Sequence, residues 1–313
     1  MRHFTSLKDI ENLDVILQQA IQIKNQPLQN VEIGKHKTLV MLFFNSSLRT
    51  RLSTEKAAHN LGMHVSILNV NEAWQLEFED GSVMDAGASE HIKEAARVIS
   101  QYADVIAVRA FPSLKDRQKD EAEHVLNSFV KYATVPIINM ESATGHPLQA
   151  LADAITITEH KPIHQPKVVL SWAPHPIALP QSVPNSFVEM MQKLEVDFRI
   201  THPKGYELNP KITKHTPVYY NQDEALQNAD FVYVKNWSTY EPYGQNLSQD
   251  RAWTMTKAKL GDAKFMHCLP VRRNLIATDE VLDHQNALVI QQSNNRTYAA
   301  QAILTDILKN LKP

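Results

Sequence analysis

Three hydroxyls and two guanidinium groups crowd into residues 46–51 of this chain: Ser46, Ser47, Arg49, Thr50 and Arg51, with Leu48 the one exception. They follow the apolar run Thr38-Leu39-Val40-Met41-Leu42-Phe43-Phe44 and lead into a helix-like tract ending at Leu61-Gly62. The pattern is strand, turn, basic helix start. The first turn of a helix carries unpaired backbone N–H groups at the positive end of the macrodipole. Hydroxyls and guanidiniums added to that turn match the oxygens of a phosphate. A small phosphorylated ligand is expected here. The plain alternative is a helix capped by Ser46 or Ser47 with two solvent-facing arginines.

In open parallel sheets ligands bind at the carboxyl ends of the strands, so the residues directly after each predicted strand are the next candidates. They are Ser47 to Arg51, Arg109, Glu141 to His146, Trp172 to His175, Lys235 to Trp237 and His267-Cys268-Leu269-Pro270-Val271-Arg272-Arg273. This set is rich in Arg, His and Lys, which favours the anion site over the plain alternative. Taken alone, His146 before Pro147 could be a cap or a solvent-facing ring, and Cys268 a buried strand residue; no nucleophilic role is assigned to that thiol.

The elements that must position these residues follow from periodicity. Residues 6–23 place Ile10, Leu13, Ile16, Leu17 and Ile21 on one helical face. Strands are predicted over 38–44, 64–70, 104–109 and 135–140, with helices near 90–102 and 118–132 between them. The pattern recurs downstream with strands at 167–172, 196–201, 230–234, 263–267 and 287–291. Val- and Ile-rich strands alternating with helices predict an α/β protein of two doubly wound parallel-sheet domains. A helix over 146–160 should join the two halves, and a last helix over 296–311, with a broad apolar face, must pack on structure already built. Residues 71–90, with Trp74 and Phe78, fit neither period and read as a lid or binding loop.

Composition limits the partners. With 43% hydrophobic and 21% charged residues and a formal net charge of -2, the chain has no global attraction to nucleic acid or to a membrane surface. No stretch resembles a signal peptide or a membrane span, so a cytoplasmic protein is expected. One cysteine among 313 residues excludes an intrachain disulfide. The eight glycines form neither G-x-G-x-x-G nor G-x-x-x-x-G-K-[ST], which argues against nicotinamide and nucleoside-triphosphate cradles.

Ser47-Leu48-Arg49-Thr50-Arg51, His146-Pro147-Leu148-Gln149 and His267-Cys268-Leu269-Pro270 resemble, in order and across the whole chain, the three motifs of the aspartate/ornithine carbamoyltransferase family. The resemblance implies a carbamoyl phosphate-binding domain over 1–145 plus the helix 296–313. It implies an acceptor domain over 146–295, two helices linking the domains, one near 146–160 and one at the carboxyl end, no cofactor or metal, and a homotrimer with sites at subunit boundaries. Carried over residue by residue, Ser47, Leu48, Arg49 and Thr50 with Arg109 hold the phosphate. Thr50, Arg109 and His146 meet the carbamoyl oxygen, and Gln149 with the Cys268–Leu269 backbone meets the carbamoyl amide. Arg296 closes the site, and Trp74 reaches in from a neighbouring subunit.

The acceptor is expected to be an N-acyl-L-ornithine. Lys235-Asn236-Trp237-Ser238 stands where ornithine enzymes carry a Ser-Met-Gly motif, and Trp74, Glu141, His175, Lys235, Cys268 and Arg272 match acceptor-binding residues of the N-acylornithine branch. A neutral acylated nitrogen lets a lysine and an arginine grip the carboxylate without repelling an ammonium. The resemblance places Ser89 where the N-acetyl enzymes have a glutamate, which would repel a succinyl carboxylate, and where the N-succinyl enzymes have a proline, so this chain matches neither residue but lacks the repelling charge. Gln301 replaces a lysine that the N-acetyl enzymes modify. Both lean towards N-succinyl-L-ornithine, with N-acetyl-L-ornithine the alternative.

Overall fold

A computed structural model of the protein describes residues 1–70 and 74–311. The chain divides into two compact units: Met1–Ser113 with Gln118–Leu148 and Arg296–Pro313, and Leu114–Arg117 with Gln149–Asn295.

The first unit is built on four parallel strands, β1 (Thr38–Phe43), β2 (His64–Asn69), β5 (Val105–Arg109) and β6 (Ile137–Glu141), in the order β2-β1-β5-β6. Strands β5 and β6 are buried along their whole length, as near-continuous apolar runs covered on both faces must be. Strand β2, at the edge, is largely exposed and alternates. The chain runs from β1 out to β2 and then returns to β5 on the other side of β1, so the order reverses between β1 and β5. Two two-residue strands, β3 (Leu76–Glu77) and β4 (Glu90–His91), pair with each other inside the segment read as irregular. Residues 71–73, where that segment begins, lie outside the described residues.

The second unit holds five parallel strands: β7 (Lys167–Trp172), β8 (Asp197–Thr201), β9 (Val218–Tyr219), β10 (Phe231–Lys235) and β11 (Lys264–Met266). Their order is β11-β10-β7-β8-β9, with the reversal between β7 and β10. The core on one face gathers Val169, Val232, Val234, Phe265 and Ile276 with Val281 and Val289.

The structure departs from expectation in several places, and strand β9, partly exposed at the sheet edge, lies where no strand is predicted. The stretch 287–291 is not a strand: Ala287 makes one bridge to Phe265, and the helix Val289–Asn310 begins two residues later. Its buried Val289, Gln292 and Arg296 fall at helical spacing, a period that a short apolar run cannot separate from a strand. The closing helix therefore starts seven residues before the expected 296. The tract 6–23 is split into a turn of 3-10 helix, Leu7–Asp9, and helix α1, Leu13–Asn25, because Asn12 caps the latter by accepting from the Val15 N–H at 3.1 Å. The tract 118–132 is likewise two helices, Arg117–Glu121 and His124–Tyr132, separated by Glu123 in the left-handed region at φ 51°.

Candidate active site

The reversal points of two doubly wound sheets are where crevices open at the carboxyl ends of strands, and the chemistry of this chain gathers at both. Helix α2, Leu48–Asn60, starts just beyond β1, with Ser47 as its N-cap; the Ser47 hydroxyl accepts from the Thr50 N–H at 3.3 Å. Leu48 is 66% exposed and faces away from the buried cluster, whereas Thr50 is buried and Arg49 half-buried. Asn45 steadies the turn by accepting from the Phe111 N–H at 2.7 Å.

A register shift between Val108 and Arg109 places Arg109 opposite Glu141 at the ends of β5 and β6. Such bulges re-aim side chains, and here the result is a buried ion pair between Arg109 Nη1 and Glu141 Oε2. Thr50 Oγ1 accepts from Arg296 Nη2 at 2.6 Å and from Arg109 Nη1 at 3.3 Å. His146 Nε2 lies 3.5 Å from both Glu141 Oε2 and Arg296 Nη2. Burial, then the charges of Arg296 and Arg109, hold the His146 imidazole well below its ordinary pKa, so the ring is neutral. Arg109 and Arg296 thus both donate to Thr50 Oγ1 beside Glu141, which concentrates cationic groups in buried surroundings where an anion gains strongly.

Glu123, missed by sequence reasoning, holds the loop that delivers His146. Its carboxylate accepts from Ser142 Oγ at 2.7 Å, Ala143 N at 3.1 Å and Thr144 N at 2.8 Å. Its left-handed backbone is the signal of that task, and no local pattern in the sequence shows it.

In the second unit, Lys235 ends β10, and the loop after β7 carries His175. Arg272 Nε donates to His175 Nε2 at 3.0 Å, and the other ring nitrogen faces the Ile177 carbonyl at 2.9 Å, which assigns the proton to Nδ1. Burial, with smaller contributions from Lys235 and Arg272, lowers the His175 pKa and keeps the ring neutral. The His175 carbonyl accepts from Asn246 Nδ2 at 2.6 Å and Gln249 Nε2 at 2.9 Å. Two cations beside a neutral imidazole suit a carboxylate. Asn236 Nδ2 donates to the Ala173 carbonyl at 2.7 Å, while Trp237 is a core residue whose Nε1 donates to the Tyr206 carbonyl at 2.8 Å. Gln149 and Cys268 are buried, and Leu269 sits in the left-handed region at φ 57°, a conformation that costs a non-glycine residue about 1 kcal/mol or more.

Trp74 and Ser89 belong to neither cluster by hydrogen bonding among the described residues. Trp74 Nε1 donates to Glu90 Oε2 at 2.8 Å, and Ser89, exposed, donates its N–H to the Gln75 carbonyl at 2.9 Å. Gln301 is fully buried, accepting from Asn60 Nδ2 at 2.9 Å and donating to the Pro27 carbonyl at 2.6 Å.

Comparison with known proteins agrees with this layout. Residues 2–159 match the carbamoyl-P binding domain of aspartate/ornithine carbamoyltransferases, and residues 180–307 match their Asp/Orn binding domain. The chain belongs to the aspartate/ornithine carbamoyltransferase family, and it is a carbamoyltransferase. It is 48% identical over 318 residues to the N-succinylornithine carbamoyltransferase of Bacteroides thetaiotaomicron, covering 100% of both chains. It is 36% identical over 340 residues to the N-acetylornithine carbamoyltransferase of Xanthomonas campestris pv. campestris, covering 100% of this chain and 99% of the relative. Among solved structures it resembles a glutamate-to-serine mutant of N-acetyl-L-ornithine transcarbamylase complexed with carbamyl phosphate and N-succinyl-L-norvaline. That match has a TM-score of 0.91 and 35% identity, covering 98% of this chain and 100% of the other. No helix among the described residues is long and apolar enough to cross a membrane.

Proposed function

We propose that the protein transfers the carbamoyl group of carbamoyl phosphate to the δ-amine of N-succinyl-L-ornithine, giving N-succinyl-L-citrulline and phosphate for arginine biosynthesis. The observation that carries this reading is the full-length 48% identity to an N-succinylornithine carbamoyltransferase, against 36% for the N-acetyl relative. Ser89, read as standing where the N-acetyl enzymes have a glutamate, supports it: solved relatives that hold N-succinyl-L-norvaline include mutants in which one glutamate is replaced by valine, alanine or serine.

The chemistry follows from the charges. The δ-amine attacks the carbamoyl carbon, a C–N bond forms, and negative charge builds on the carbamoyl oxygen until the C–O bond to phosphate breaks. Thr50, Arg109 and neutral His146 are suited to that oxygen, and Ser47, Arg49, Thr50 and the α2 N-terminus to the phosphate. Cations fixed in advance stabilise the developing charge without a covalent intermediate. The departing phosphate can take the proton lost by the amine. Lys235 and Arg272 are suited to the acceptor's carboxylate, and the neutral acyl nitrogen leaves them unopposed. The same reading makes the protein a cytoplasmic homotrimer in which Trp74 serves a neighbouring subunit's site.

Purified protein should be given carbamoyl phosphate with ornithine, N-acetyl-L-ornithine or N-succinyl-L-ornithine, and product formation measured for each. Turnover of the succinyl compound, with Ser89→Glu lowering its kcat/KM at least about tenfold by like-charge repulsion, is the expected result. Preference for the acetyl compound would keep the mechanism and overturn the role of Ser89.

A further inference from the structure

A glutamine amide can turn either its oxygen or its nitrogen towards a ligand, and only the oxygen accepts from the –NH2 of a carbamoyl group. For Gln149, near the start of the helix Pro147–His160, the choice is made one turn further along. Gln149 Nε2 donates to Asp153 Oδ1 at 2.7 Å, and Asp153 is fully buried. The carboxyl oxygen that accepts from Gln149 takes the nitrogen end of the amide and turns Gln149 Oε1 the other way.

The same Asp153 oxygen also accepts from Gln292 Nε2 at 2.7 Å. With its nitrogen held there, Gln292 Oε1 is left to accept the backbone N–H of His267 at 2.9 Å, and the Leu269 N–H donates to His267 Nδ1 at 2.8 Å. Gln292 is fully buried and His267 nearly so. One carboxylate thus fixes the orientation of two amides and, through the second, the backbone that carries Cys268 and Leu269.

We propose that Asp153 is a positioning residue for carbamoyl phosphate, which sets Gln149 Oε1 and the His267–Leu269 backbone as paired acceptors for the carbamoyl –NH2. The inference rests on the reading of Gln149 as a contact of that amide. It concerns the amide alone: the phosphate and the carbonyl oxygen are recognised by other residues.

The test compares carbamoyl phosphate with acetyl phosphate, which keeps the phosphate and the carbonyl and replaces –NH2 by methyl, and with inorganic phosphate. Dissociation constants are measured calorimetrically on the full-length protein and its Asp153→Ala, Asp153→Asn and Gln149→Leu variants. Asp153→Ala should weaken carbamoyl phosphate about tenfold, the loss of one hydrogen bond, and leave the other two ligands unchanged. Asp153→Asn, whose neutral oxygen accepts less strongly, should show a smaller loss of the same selectivity, and it serves alone if the alanine variant does not fold. Combining Asp153→Ala with Gln149→Leu should cost less than the sum of the two single losses, because they share the Gln149 contact, and more than Gln149→Leu alone by the share carried through Gln292. Equal weakening of all three ligands, or none, in the Asp153 variants would overturn the positioning role while a selective loss in Gln149→Leu upheld the Gln149 contact. No selective loss in Gln149→Leu would instead overturn the contact itself, and the inference with it.

Discussion

Glu141 pairs with Arg109 and lies 3.5 Å from neutral His146, where Arg109 and Arg296 both donate to Thr50, so its charge offsets part of the repulsion between the two guanidiniums. Removing one partner of a buried pair leaves the other charge uncompensated, a change that costs about 3–5 kcal/mol. Glu141→Ala should therefore lower unfolding stability by that order in chemical denaturation. Inorganic phosphate should raise the melting temperature of the variant more than that of the parent, because the anion replaces the missing charge; an equal rise in both would contradict this role. His175 makes a different demand. It accepts from Arg272 only while neutral, and burial and nearby cations push its pKa down. The KM for the acceptor should stay level from neutral pH down to the ordinary imidazole midpoint of about 6.5 and rise at lower pH as the ring protonates and releases Arg272. In His175→Asn, whose side-chain oxygen can accept from Arg272 and does not titrate, the acid rise in KM should disappear.

At the scale of elements, the inner strands were legible because parallel strands buried on two faces read as apolar runs, and β1, β5, β7, β8 and β10 stand within a residue or two of where those runs lie, whereas the short, partly exposed edge strand β9 has no such run. Their carboxyl ends were legible for the same reason, and with them Thr50, Arg109, His175 and Lys235. What stayed hidden were groups whose partners are far along the chain or are backbone. Glu123 reads as one more acidic residue on a helix, yet it breaks the helical path to hold 142–144. Asp153 sits four residues after Gln149, a spacing the sequence does display, but its second partner, Gln292, is 139 residues away. The helix start at Val289 was hidden because the deciding residues, Gln292 and Arg296, are polar residues on the buried face. For Glu123 the consequence is measurable. Glu123→Ala frees two backbone N–H groups and two hydroxyls, which should cost about 2 kcal/mol of stability. It should also lower kcat about tenfold by loosening His146, whereas Glu123→Gln, which can still accept, should recover part of both; a variant with unchanged kcat would mean that the loop does not set His146.

At the scale of the whole molecule, burial is the chief cause lowering the pKa of His3 and His146 in the first unit and of His175 and His202 in the second. Each binds its proton more weakly folded than unfolded, so below about pH 6.5 the unfolded chain takes up protons that the folded chain refuses. Stability should be level above that pH and fall as pH drops from it towards the depressed folded values. The slope is at most about 1.4 kcal/mol per pH unit for a buried ring in its window, and smaller for His3 and His175, which solvent partly screens. The carboxylates act lower. Asp80 is held down by Lys93 and Asp283 by Arg273, and both keep their contribution until the pH approaches the carboxylate range. The acid limb of a plot of melting temperature against pH should therefore begin near the imidazole midpoint and steepen again near about pH 4. His202 isolates the first step without touching the proposed site: its Nδ1 faces the Pro203 carbonyl at 2.9 Å, and its ring packs on Tyr220 and Trp237. In His202→Gln, which can still donate to that carbonyl but cannot titrate, the melting temperature should fall less between about pH 6.5 and 5 than in the parent, and the lower step should be unmoved. Identical slopes in the two proteins would assign the first step to other groups.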